Sequence, residues 1–173
     1  IAERSQRLVQ DFLERQNAQN GALGHGDPQN VGEAFFEMTR QMMTDPAKAM
    51  QAQAELWQGY MTLWQNTTKG ILGESTEPVV TPDKDDRRFR DPPWSDNSAF
   101  DFIKQSYLLT SRWMVDTVRD VDGLEDQTAK KVDFYTRQFA DAMAPSNFAM
   151  TNPEVLRETL ESRGENLIKG LEN

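Results

Sequence analysis

Chemistry at neutral pH needs a nucleophile, a base held near neutrality or a set of metal ligands, and this chain is poor in all three. It has no cysteine, so thiolate attack and disulfide formation are both closed to it. His25 is the single histidine, set in the stretch NAQNGALGHGDP with no second histidine and no serine in a nucleophile-elbow setting. A general base must be held within hydrogen-bond reach of the proton it takes, and a glycine-rich stretch does not hold it. Gly21, Gly24 and Gly26 follow no predicted strand and lack the Lys-Ser/Thr pair that grips a phosphate, so they read as a hinge. Glu33 with Glu37, and Asp83 with Asp85 and Asp86, place carboxylates at short spacing, but the glycine and glutamate spacing of a calcium loop is missing. Solvated faces explain them. The expectation is no catalytic residue, no metal site and no cofactor.

The remaining chemistry is that of surfaces. A formal net charge of −9 repels phosphate backbones, and the short basic cluster of Arg87, Arg88 and Arg90 is flanked by aspartates, so nucleic acid is not an expected partner. With 37% hydrophobic residues and a mean hydropathy of −0.74, the 173 residues fit a modest core with a long arm. No apolar run approaches the roughly 20 residues of a membrane span, and the charged start IAERSQR is unlike a signal peptide. A cytoplasmic protein is expected. Ile1 in place of an initiator methionine, and the close at Asn173, lead to the expectation of a piece cut from a longer protein.

The elements that carry these surfaces are helical. Apolar residues recur at steps of three and four, and period-two alternation is confined to a short VVT at Val79 to Thr81. An all-α fold of four to six helices follows, with an extended linker and a partly flexible N-terminal part. Residues 1–76 form an arm with helices over about 2–18, 30–44 and 46–72. The first carries Leu8, Val9, Phe12 and Leu13 on one stripe, and the second Val31, Phe35, Met38 and Met42. Asp45 ahead of Pro46 is the cap of the third helix. There Met50, Ala54, Trp57, Met61, Trp64, Thr68 and Ile71 keep a 3.5-residue repeat along about 40 Å, and Leu56, Tyr60 and Leu63 widen it. So broad a stripe needs cover, either within this domain or from a partner.

Residues 77–97 are an extended linker with Pro78, Pro82, Pro92 and Pro93. Trp94, set behind two prolines, and Phe89 are expected to anchor it to a neighbouring surface, with Arg88 either paired to an acid there or solvated. In the helix over about 98–121, capped by Asn97 or Ser98, Phe100, Ile103, Tyr107, Met114 and Val118 share one face. Phe102, Leu109 and Trp113 fall on nearly the opposite one, so it should lie between two layers. One layer is expected from this domain and the other from a further domain or a second subunit. Helices over about 126–143, with Val132, Tyr135, Phe139, Ala142 and Met143 inward, and about 154–171 complete the chain. The last has Leu156, Leu160, Leu167 and Leu171 aligned, a bend at Gly164, and a cap from Thr151 with Glu154 or from Asn152.

The run RRFRDPPWSDNSAFDFIKQSYLLTSRWMVDTV from Arg87, continuing through GLEDQTAKKVDFYTRQFADAMAPSNFAMTNPEVLRETLESRGENLIKGLEN, resembles the N-terminal region of class I polyhydroxyalkanoate synthases. The resemblance covers about half the chain and includes none of that family's catalytic residues. It implies a parent enzyme that transfers (R)-3-hydroxyacyl units from CoA to a growing polyester. The parent's cysteine, aspartate and histidine would lie on a downstream α/β-hydrolase domain, as in a Gly-x-Cys-x-Gly elbow. This part would be inactive alone. The same resemblance implies roles in dimerisation, stability of the catalytic domain and attachment to polyester granules or a granule-associated protein, and so a place at cytoplasmic granules. Trp57, Met61, Trp64, Ile71, Phe89, Trp94, Phe102, Leu109 and Trp113 are the expected joining residues. An independent, phasin-like adaptor of the granule surface is the alternative, and a free-standing acyl-CoA enzyme a more distant one.

Overall fold

The computed structural model describes residues 28–162 and 164–172; the expected helix over 2–18, the hinge glycines and His25 lie outside that set. The described chain is all-α. Its helices are α1 (Pro28–Met42), α2 (Pro46–Ile71), α3 (Pro93–Asp96), α4 (Ser98–Arg119), α5 (Asp126–Ala142), α6 (Pro153–Glu161) and α7 (Glu165–Glu172), with a 3₁₀ turn at Pro145–Asn147.

Local chemistry sets their ends. Asp45 accepts the Lys48 backbone N–H at 3.0 Å at the start of α2, just before Pro46. Asn97 does the same for Ala99 and Phe100 at the start of α4, and Asn152 for Glu154 and Val155 at the start of α6. Gly123, at φ +80°, lets the chain turn out of α4 toward α5. Gly164, at φ +90°, divides the expected last helix into α6 and α7. That break and the single turn of α3 account for the helices beyond those expected.

α4 is the spine. It packs on α2 along one side and on α5 along another, and α5 in turn carries α1. The core is a cluster of Val80, Phe89, Trp94 and Leu108, flanked by Phe100, Ile103, Tyr107 and Leu109. α4 does lie between layers, but both belong to this chain, so the expectation that one comes from another domain or subunit is corrected. Trp113 donates its indole N–H to the Ala52 carbonyl at 3.0 Å, and Tyr60 bonds Thr110 across the same seam. Gly59 admits Leu109: a Cβ there would stand 3.2 Å from its Cδ2.

In α5 the inward residues are Val132, Thr136 and Ala140, whereas Phe139 and Met143 are exposed. The expected face was rotated because it followed the largest side chains, and the packed face carries small ones. Leu160 on α6 is exposed as well.

Candidate functional site

Residues 77–97, expected as a linker, form a strap bonded to α4 along its length. Gln105 is buried on α4, and its side-chain oxygen accepts the N–H groups of Val79 and Val80 at 2.8 and 3.3 Å. Lys104, also buried, donates to the Trp94 carbonyl at 2.8 Å and pairs with Asp101 at 2.9 Å. Arg112 holds the Thr81 carbonyl and Asp83. These contacts give strap backbone groups partners that an irregular segment cannot supply for itself. Sequence reasoning missed Lys104, Gln105 and Arg112. Their only signal is position, since Lys104 and Gln105 stand where the helix turns toward Trp94.

Arg88 closes the strap. Its guanidinium grips Asp86 through two hydrogen bonds of 2.9 Å and donates at 2.9 Å to both the Tyr107 hydroxyl and Asp141 of α5. It also lies 5.4 Å from the Tyr107 ring centre and 5.7 Å from that of Phe89. The bond to Asp86, working against desolvation, holds the guanidinium above its ordinary pKa. Burial pushes the Asp86 carboxyl up, but the hydrogen bonds from Arg88 outweigh it and leave a net lowering. Burial raises the Tyr107 phenol despite the nearby cation.

Among the expected joining residues, Phe89 and Trp94 come together edge to face at 5.0 Å and are buried in this chain's own core. Leu109 and Trp113 face α2, and Phe102 is half-buried. Trp57, Met61, Trp64 and Ile71 are brought together on the outward side of α2 with Met50 and Leu72, each more than half exposed. The helix is therefore apolar on two sides. The packed one is Ala49, Ala52, Leu56, Gly59, Tyr60 and Leu63, and the regular repeat marks the other. Two tryptophans and a methionine one turn apart, in water, form a surface that apolar contact would stabilise.

Nothing in this geometry arranges a nucleophile with a base, and among the described residues no three His, Cys, Asp or Glu side chains are grouped to hold a metal. No described helix is long and apolar enough to cross a membrane. What stands out among the described residues is the exposed apolar row on the outward side of α2.

The profile of the family described as poly-beta-hydroxybutyrate polymerase (PhaC) N-terminus matches residues 85–173, from the strap through α7. A poly(3-hydroxyalkanoate) polymerase of Methylorubrum extorquens is 45% identical over 161 residues, which are 89% of this chain and 27% of that protein. The polymerase subunit PhaC of Rhizobium meliloti is 41% identical over 75% of the chain and 21% of its own length. That of Cupriavidus necator is 30% identical over 94% of the chain and 26% of its own length. Matches of this extent take in α2 as well as the strap. The chain spans about a quarter of the length of these curated relatives. No solved structure matches it. By the profile match and these relatives together, the chain belongs to the poly-beta-hydroxybutyrate polymerase (PhaC) N-terminus family.

Proposed function

We propose that this chain is the noncatalytic N-terminal module of a polyhydroxyalkanoate polymerase and that the outward face of α2 joins the polymerase to a second subunit or to its polyester granule. In this reading the parent transfers hydroxyacyl units from CoA to polyester, and the cysteine that carries the polymer lies in the part of the protein beyond this module. The strap and α4 form a rigid body that would stabilise the adjoining catalytic domain, and the module works at cytoplasmic granules. The observation that carries the reading is the exposed row of Trp57, Met61 and Trp64, side chains that bury large apolar areas when they find a partner. Absence of cysteine agrees with it, because the module cannot supply the thiolate.

The test is Trp57→Ala with Trp64→Ala in the full-length polymerase. Both side chains lie outside the packed seam, so the melting temperature of the module should stay unchanged. The fraction of enzyme sedimenting with granules, or its self-association in solution, should fall, with CoA release reduced to the level of the unattached form. Wild-type granule partitioning and wild-type sedimentation together would overturn the proposal.

A further inference from the structure

A cavity of about 360 Å³ opens between the end of α1, the first half of α2 and the last turns of α4, away from the Trp57 and Trp64 face. Its lining joins an apolar surface that includes Leu56, Leu109 and Trp113 to five carboxylates and a single lysine. Three of those six charges are already engaged: Asp45 caps α2, and Lys48 pairs with Asp122 at 3.0 Å while also donating to the Asp120 carbonyl. Glu55 accepts only the neutral Gln51 amide at 3.0 Å, and Asp116 and Asp120 make no ion pair among the described residues.

The placement of Asp116 and Asp120 runs against helix electrostatics. They lie one turn apart at the C-terminal end of α4, where like charges at this spacing repel and the helix dipole already disfavours negative charge. Thr117, half-buried, also lines the cavity. A bound cation would relieve the repulsion. A free polyamine would neutralise the carboxylates but leave the apolar lining wet, whereas a side chain beside the cation can cover it.

We propose that this cavity binds a basic amphipathic peptide segment of a partner protein, seating a lysine or arginine at Glu55, Asp116 and Asp120 and a bulky apolar side chain against Trp113 and Leu56. The site is independent of the α2 outward face and of its proposed role. Charge complementarity speeds the encounter and the apolar contact slows release.

The probe is a fluorescein-labelled amphipathic helix of lysine and leucine, titrated with the chain by fluorescence anisotropy. Saturable binding is expected, weakened about tenfold by Asp116→Asn with Asp120→Asn, as loss of charge-assisted contacts predicts. That variant removes a repulsion, so its thermal melt should be no lower than wild type. Glu33→Gln with Glu158→Gln changes net charge equally at exposed positions outside the cavity lining and should bind as wild type. Equal loss in that control, equal binding of a glutamate–leucine counterpart, displacement by spermidine at matching concentration, or no saturable binding would each overturn the proposal.

Discussion

Arg88 shows how much of this molecule depends on single polar side chains placed against the core. It joins the strap to α4 and α5 through Asp86, Tyr107 and Asp141, and its partner Asp86 titrates below the usual carboxylate range. A lowered folded-state pKa means that the pair contributes stability above the unfolded pKa and loses it as pH falls through the folded one. The melting-temperature gap between wild type and Asp86→Asn should therefore hold from neutrality down to about pH 4 and close below it. Thermal melts across that range check the sign, and a gap that widens on acidification would contradict it. Gln105→Leu leaves the N–H groups of Val79 and Val80 without their acceptor and should cost about 1–3 kcal/mol in chemical denaturation. Trp94→Ala empties the centre of the Phe89, Val80 and Leu108 cluster, and the loss should be about 3–5 kcal/mol in the same assay.

Between elements, the α2–α4 seam works through small residues. Gly59 lies against Leu109, so Gly59→Leu should wedge the two helices apart and cost about 1–3 kcal/mol, read from denaturant unfolding followed by the chain's tryptophan fluorescence. The Asp45 cap was legible in the sequence, and Asn97 and Asn152 as one of two candidates each, because a cap is set by a few adjacent residues. Helix existence and the two-sided apolar character of α4 were legible for the same local reason. The packed faces of α2 and α5 were not. Apolar periodicity is weighted by bulky side chains, whereas these helices approach through Ala49, Ala52 and Gly59, and through Thr136 and Ala140. The strap was read as a linker because its prolines do break regular structure. What fixes it, Lys104 and Gln105, looks like ordinary surface polarity until α4 is placed beneath it. Phe89 and Trp94 stand out in the sequence as anchors, and the surface that receives them in this structure is in their own chain.

At the scale of the whole molecule, the core is built around α4 and the strap, and large apolar side chains remain on the outside of α2. In the proposed reading that distribution separates folding from joining: losing Trp57 and Trp64 should leave the fold intact, whereas losing Trp94 should not. The most direct test of the joining role is hydroxyl-radical footprinting of Trp57, Met61 and Trp64, comparing the isolated chain with the full-length polymerase assembled on granules. Severalfold protection of all three in the assembly, with Phe36 on α1 reacting equally in both, is the predicted result. Oxidation of the three at the rate of the isolated chain would contradict it.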